Sequence, residues 1–207
     1  MAPRLLPQPC AMTAPMTDFR RAALIVALAN LAYFGVEFAV ALGIGSVSLF
    51  ADSIDFLEDT AVNLLIVVAI GWSPRRRGQV GAVLAGLLLV PAVATAWMAW
   101  RKFMAPAPPE PFALTLTGLG ALAVNLSCAF LLVRHRAHHG SLSRAAFLSA
   151  RNDAIANIAI IAAGLVTVFV RNAWPDLLVG LGIGALNLDA AREVFEAARK
   201  ERLAPQP

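Results

Sequence analysis

Four carboxyl side chains lie close together in the segment ADSIDFLEDT (51–60), which is flanked by two strongly apolar stretches. An ionised carboxylate at the centre of a bilayer costs at least about 2.5–3.5 kcal/mol, so four of them in an apolar segment need compensation. Carboxylates that face a shared cavity can bind a cation, which supplies that compensation. Some of the four acids, Asp52, Asp55, Glu58 and Asp59, are therefore expected near the water interface, and the rest must face a cavity, a cation or each other.

The spacing of these acids predicts that some of them share one face of a helix. Asp55 and Asp59 are i, i+4 neighbours about 6 Å apart, and Asp52 and Asn63 extend the same stripe, whereas Glu58 points to one side. An alternative is an interfacial helix end, where the helix dipole favours acids. That alternative suits Asp52 and Glu58. Asp55 and Asp59 would lie well inside the span, so we expect them to form a buried cation site.

A second polar stripe lies in the apolar stretch FLSARNDAIANIAII (147–161). Ser149, Asp153 and Asn157 are spaced i, i+4, i+8 and share one helix face. An ion pair of Asp153 with Arg151 or Arg144 is an alternative explanation. Two helices that each present oxygen atoms a turn apart can enclose one divalent ion, so we expect this stripe to face Asp55 and Asp59.

The composition indicates an all-α integral membrane protein. The chain has 207 residues, of which 59% are hydrophobic and 14% charged, and its mean hydropathy is +0.70. A soluble domain carries about 25% charged residues, and a membrane-spanning helix needs roughly 20 apolar ones. Six stretches meet this length: 20–42, 47–73, 79–100, 113–134, 145–170 and 174–195.

The distribution of Lys and Arg predicts the orientation of these spans. Six spans place both termini on one side, and most of the cations lie on that side; the other side has only Arg101, Lys102 and Arg171. Both termini are therefore expected in the cytoplasm, in the inner membrane if the protein is bacterial. The pI of 9.8 reflects this bias and does not indicate nucleic-acid binding. The predicted organisation is a disordered tail (1–19), a six-helix transmembrane domain (20–195) and a short cytoplasmic tail (196–207).

Several polar residues outside the two stripes have competing explanations. Glu37 lies in the middle of the first span, where we expect a structural or a proton-handling role. Asn30 and Asn125 are expected to form hydrogen bonds between helices. Three histidines in the loop after the fourth span could capture metal at the cytoplasmic surface, or they are ordinary polar loop residues. They are His135, His138 and His139.

Three segments of the chain resemble the cation diffusion facilitator family of metal exporters. NLAYFGVEFAVALGIGSVSLFADSIDFLEDTAVNLL (30–65) is similar to the first two spans of the family, and SLSRAAFLSARNDAIANIAIIAAGL (141–165) to the fifth. WPDLLVGLGIGALNLDAAREVF (174–195) is similar to the sixth, with an Asp soon after the span begins. The three segments occur in the family's order and spacing.

The resemblance implies a site for the transported ion with two residues on the second span and two on the fifth. Those positions are Asp55 and Asp59, then Ser149 and Asp153; the family pattern has His or Asp where this chain has Ser149. Further residues are expected around the ligands or on a proton path: Asp52, Glu37, Asn63 and Asn157. The family also implies dimerisation, which here would use the transmembrane helices, and zinc, cobalt, cadmium, iron or manganese as cargo.

Together these features predict a proton-coupled exporter of divalent metal, not an enzyme and without a resident cofactor. Metal binding displaces protons from its ligands, so the two can exchange. Oxygen ligands suit Mn²⁺ or Fe²⁺ and the family favours zinc; we expect zinc or iron. The alternative is a non-transporting regulatory or heterodimer partner of the same fold. That alternative follows from Ser149 and from the tail AAREVFEAARKERLAPQP, where most members have a cytosolic metal-binding domain.

Overall fold

The structure, a computed structural model of the chain, describes residues 14–69, 76, 79–80, 93–135 and 141–203. These residues contain helices, turns and loops but no strand, so the all-α prediction is confirmed for the described part of the chain. We number the helical segments in chain order. They are α1 (Ala14–Ile44), α2 (Val47–Ala69), α3 (93–104), α4 (Pro111–His135), α5 (Ser141–Val170) and α6 (Trp174–Leu203).

A tight turn at Gly45 and Ser46 joins α1 to α2. Gly45 has a φ of +64°, the left-handed conformation in which glycine ends many helices. The Ser46 N–H donates to the carbonyl oxygen of Ala41 (2.9 Å), which satisfies a free carbonyl at the end of α1. The Ser46 hydroxyl in turn accepts the N–H of Leu49 (3.2 Å) and caps α2. The first two helices are therefore held as an antiparallel pair with a fixed register.

The helices form one bundle in which α2 holds the central position. α2 packs against α1, α4, α5 and α6, and α4 also packs against α1 and α5. The apolar core lies at these crossings. Its buried members are Ala41, Leu49, Phe50, Ala51, Ile54, Leu114, Ala156, Ile160 and Ile183. This arrangement brings the acidic stripe of α2 against both α5 and α6.

One end of the bundle, called here the outer end, is formed by residues 45–46, 105–110 and 171–173, the side predicted to lie outside the cytoplasm. Asp176, in the first turn of α6, is buried there and accepts hydrogen bonds from the N–H groups of Val47 (2.9 Å) and Ser48 (3.1 Å). It also accepts from the hydroxyls of Ser46 (2.6 Å) and Ser48 (2.7 Å). Lys102 of α3 completes the set with an ion pair at 3.1 Å. Asp176 therefore anchors the start of α2 to α3 and α6.

The distribution of polar and apolar side chains is the reverse of that in a soluble protein. Large apolar side chains point outward, among them Trp97, Phe130 and Phe169, which is 85% exposed. Glu37 and Asp52 are fully buried. A surface of this kind is stable against lipid and not against water, because only lipid removes the cost of exposing so many apolar groups.

Three described helices are long and apolar enough to cross a bilayer: Arg20–Ile44, Pro111–Arg134 and Asn152–Val170. They correspond to the first, fourth and fifth predicted spans. α2 occupies the second predicted span and is apolar overall, but it carries four acids, more than any of those three helices. Most of the predicted third span lies outside the described residues, and its described part continues to residue 104. The Pro-rich stretch after it is non-helical until Pro111 begins α4.

Candidate metal-transport site

A polar cavity of about 140 Å³ lies between α2, α5 and α6. A cavity of this size has room for an ion together with several water molecules. Carboxyl and amide groups from all three helices reach it, and three apolar side chains complete its wall. The lining residues are Asp55, Glu58, Asp59, Asn152, Asp153, Ala156, Ile183, Leu186 and Asn187.

The predicted stripes of α2 and α5 meet at this cavity. Asp55 and Asp59 reach it from α2, and Asp153 reaches it from α5. Asp55 lies within electrostatic reach of Glu58, Asp59 and Asp153, and also of Asp52, which is one turn nearer the outer end. Like charges held this close in a low-dielectric interior repel one another strongly. The cavity therefore needs cations, either metal ions or protons, to remain stable.

The carboxyl of Asp59 is held in place by Asn30 of α1, which is itself contacted by Cys128 of α4. The Nδ2 of Asn30 donates to Oδ2 of Asp59 (3.3 Å), and the Cys128 thiol donates to Oδ1 of Asn30 (3.6 Å). The prediction that Asn30 bonds between helices is confirmed. Asn63 does not reach the carboxyl of Asp59, because its amide donates to the backbone carbonyl of the same residue (2.8 Å). The side chain of Asn63 is thus used within α2.

Asn157 links the two stripes on the outer side of the cavity. Its Nδ2 donates to the backbone carbonyl of Asp153 (2.7 Å) and to Oδ1 of Asp52 (3.4 Å). Glu37 of α1 lies next to Asp52, and both carboxyls are fully buried. Asp52, Glu37 and Asn157 do not line the cavity, so they form a separate cluster of oxygens behind it.

Three cavity residues differ from the expectations drawn from the sequence. Glu58 was expected to point to one side, but its side chain lines the cavity because it lies only three residues from Asp55 on α2. Asn152 and Asn187 belong to neither of the two predicted stripes. Asn187 also donates to the carbonyl of Ala51 (3.1 Å), which ties α6 to α2. Asn187 could have been recognised from the sequence, because it is a polar residue within the sixth apolar stretch.

A family model for the cation efflux transmembrane domain matches residues 23–201. The match covers nearly all of the chain, including every residue of the cavity. The chain belongs to this family. The expected resemblance to the cation diffusion facilitators is thereby confirmed, as is the prediction of a helical membrane bundle. A search of curated proteins finds no significant match.

Membership of the cation efflux family makes the chain an integral membrane protein of a transporter family. It also explains why so many acids line a cavity inside an apolar bundle, since a cation can compensate their charge. The family match assigns no role to individual residues, so the ligands remain a matter of geometry and chemistry.

In the conformation described, the cavity carboxyls do not converge on one point. Among the described side chains, no three from His, Cys, Asp or Glu lie together closely enough to hold a metal ion directly. Four predicted residues cannot be compared with this geometry. Ser149 and His135 belong to α5 and α4, but their side chains lie outside the described part of the structure, and His138 and His139 lie outside the described residues altogether.

Proposed function

We propose that this cation efflux protein exports a divalent metal ion from the cytoplasm in exchange for protons. The observation that carries the proposal is the acidic cavity, in which Asp55, Glu58 and Asp59 of α2 face Asp153 of α5. Four carboxyl groups of this kind are unstable inside a membrane protein unless protons or metal ions neutralise them. The same groups can therefore hold either cargo, but not both at once.

Competition between the two cargoes provides the coupling. A metal ion binds deprotonated carboxylates, so its arrival releases protons and the arrival of protons releases metal. If the cavity opens alternately to the two sides of the membrane, inward flow of protons drives metal outward. Rocking of helices about a midplane site is a common way to achieve such alternating access.

The spread of the carboxyls fits one stage of such a cycle. Because no three of the described acids converge, a metal ion in this conformation would be held by fewer protein oxygens and by water. Movement of α5 toward α2 would bring Asp153 to Asp55 and Asp59 and would replace water by carboxylate. The amides of Asn152 and Asn187 are further oxygen ligands at the rim of the cavity.

We propose zinc or iron as the main cargo, with manganese, cobalt and cadmium as further candidates. The described lining of the cavity offers oxygen and amide groups, which suit the harder ions Fe²⁺ and Mn²⁺. Family membership supports a transition metal but does not select one. A fourth ligand at Ser149 remains part of the proposal, and a hydroxyl there would preserve the all-oxygen character.

The test is metal flux into proteoliposomes under an imposed pH gradient, measured for Zn²⁺, Fe²⁺, Mn²⁺ and Co²⁺. Asp59→Asn and Asp153→Asn remove one negative charge each from opposite walls of the cavity while preserving shape. Both should lower the flux by more than the roughly 10–100-fold that follows the loss of a group supporting a metal ligand. Asp189→Asn is the matched control, because Asp189 is an exposed acid of α6 that does not line the cavity.

Each possible result has a distinct meaning. Gradient-driven flux that both cavity variants abolish, and the control preserves, would support the exporter and identify its metal. Wild-type vesicles that take up none of the four ions would overturn the proposal in favour of a non-transporting partner subunit. Flux that survives in both variants would leave transport in place but remove the cavity as its site.

A further inference from the structure

Behind the cavity, Glu37, Asp52 and Asn157 bring oxygens from three different helices together. Glu37 comes from α1, Asp52 from α2 and Asn157 from α5. Asp52 is three residues before Asp55, and Asn157 is four residues after Asp153, so the cluster lies about one helical turn nearer the outer end than the cavity. All three side chains are fully buried.

Most oxygens of this cluster have no partner. Both carboxyl oxygens of Glu37, Oδ2 of Asp52 and Oδ1 of Asn157 are buried and accept no hydrogen bond from an N–H or hydroxyl group of any described residue, while the carboxyls of Glu37 and Asp52 lie against each other. Only Oδ1 of Asp52 is paired, and its partner is the amide of Asn157 at 3.4 Å. Four acceptor oxygens without a donor are a large cost in a low-dielectric interior.

The described part of the chain offers no cation to these oxygens. Its buried cation is Lys102, which is committed to Asp176 and to the carbonyl of Gly45 at the outer end. Among the described residues nothing neutralises these oxygens, so a cation from solution is the candidate partner. A bound cation would pair with these oxygens and neutralise the two carboxyl groups. Without one, two buried carboxylates with unpaired oxygens would lower the stability of the fold.

We propose that Glu37, Asp52 and Asn157 form a second cation site, distinct from the transport cavity, that binds a small hard divalent ion. Two carboxylates neutralise one divalent charge, and the amide carbonyl adds a neutral ligand. Carboxylate and amide oxygens are the ligands of Mg²⁺ and Mn²⁺, whereas a site for zinc or copper would more often contain His or Cys. The amide of Asn157 also donates to the backbone carbonyl of Asp153, a cavity residue one turn earlier on α5.

The position of the site suggests a role in the proposed export, and that role, though not the binding itself, rests on the proposed function. An ion that leaves the cavity toward the outer end encounters Asp52 and Glu37 next. A second site on the exit path would bind the ion transiently. Because it has two acids and the cavity has four, it would bind the ion less strongly and release it more easily. Binding alone can be tested without any assumption about transport.

The experiment counts Mn²⁺ ions bound per chain at equilibrium, by electron paramagnetic resonance of free Mn²⁺, on the full chain in nanodiscs with no gradient. Wild type should bind two. Glu37→Gln, a substitution that keeps the shape of a side chain that does not line the cavity, should bind one. The double variant Asp59→Asn/Asp153→Asn should also bind one, and its remaining ion should disappear when Glu37→Gln is added. Asp189→Asn should still bind two.

The count separates failure of this inference from failure of the proposed function. One ion in wild type that is lost in Asp59→Asn/Asp153→Asn and retained in Glu37→Gln would overturn the second site and leave the exporter intact. One ion that is lost in Glu37→Gln and retained in Asp59→Asn/Asp153→Asn would support the second site and remove the cavity as a metal site of the proposed exporter. No bound Mn²⁺ in wild type would overturn the second site.

Infrared difference spectroscopy reports the protonation of Glu37 in the wild-type protein, and Glu37→Gln serves only to assign the band. A site that binds metal holds Glu37 as a carboxylate, so saturating Mn²⁺ should leave no protonated-acid C=O band assignable to this residue. If wild type retains a C=O band at saturating Mn²⁺, and that band is absent from Glu37→Gln, a proton occupies the cluster instead of a metal ion. That result would overturn the inference.

Discussion

Two regions of the molecule bury carboxyl groups, and they treat them in opposite ways. At the outer end, Asp176 is surrounded by donors: two N–H groups and two hydroxyls from residues 46–48, and the ammonium of Lys102. Around the cavity, Glu37, Asp52 and Glu58 each keep at least one buried oxygen without a partner among the described residues.

The difference is the one we expect between a structural acid and an acid that binds a cation. A buried carboxylate whose oxygens are all paired stabilises one arrangement of the chain and has no capacity left for a ligand. A buried carboxylate with free oxygens costs stability until a cation arrives, so we expect such an acid to serve cation binding. Both kinds lie on or against α2, so burial and charge alone do not distinguish them. The hydrogen-bond partners do.

The largest effect on stability is expected from Asp176→Asn. The substitution leaves Lys102 buried at the outer end without a counter-charge, and an unpaired buried charge costs about 3–5 kcal/mol. The free energy of unfolding in detergent should fall by this amount. Adding Lys102→Met should recover part of the loss, because it removes the orphaned charge. A loss below about 1 kcal/mol for Asp176→Asn would show that the outer end is not a structural anchor.

The close packing of α6 on the start of α2 gives a second test of that anchor. A Cβ at Gly180 would lie 2.7 Å from the backbone carbon of Val47 and 2.8 Å from the nitrogen of Ser48. Gly180→Ala must therefore move the two helices apart, at a cost of about 1–3 kcal/mol. Gly182→Ala is the matched control in the same helix, with nothing within 4 Å of its Cβ. Thermal unfolding should show a loss for the first and no loss for the second.

These contrasts also show which parts of the site the sequence could predict. The i, i+4 spacing of Asp55 and Asp59 and the acid at Asp153 were visible, because helical periodicity places such residues on one face whatever the neighbours do. The same rule misjudged Glu58, whose long side chain reaches a cavity that lies at the edge of its face. Helical spacing predicts the direction of a short side chain more reliably than that of a long one.

Long-range partners were beyond the reach of periodicity. The pair of Lys102 with Asp176 joins α3 to α6, and the contact of Glu37 with Asp52 joins α1 to α2. Nothing in the local sequence of either partner specifies the other, since the contacts depend on the order in which the helices pack. The six-helix architecture was predictable from composition, whereas the assignment of each buried acid to a structural or a functional role required the packed structure.

Glu58 offers an intermediate effect on the functional side of the comparison. Its carboxyl lines the cavity and has one unpartnered oxygen, Oε1, so it should contribute to metal binding even though the family pattern does not include it. Glu58→Gln should weaken metal affinity about ten- to 100-fold, the range seen for groups that support metal ligands. Unfolding in metal-free detergent should be unchanged or improved. Unaltered affinity would place Glu58 with the structural acids.

The smallest effect is expected where a functional acid has a structural partner. Asn30 donates one hydrogen bond of 3.3 Å to Asp59, and a bond to a buried group is worth about 0.5–1.5 kcal/mol. Asn30→Ala should therefore change the metal concentration for half-maximal flux by about two- to tenfold and leave the maximal flux near wild type. Asn125→Ala, at a buried asparagine of α4, is the control for loss of a buried amide. If Asn30→Ala instead abolished flux as Asp59→Asn should, Asn30 would be a ligand in its own right. The residues that bind metal directly would then include one from α1.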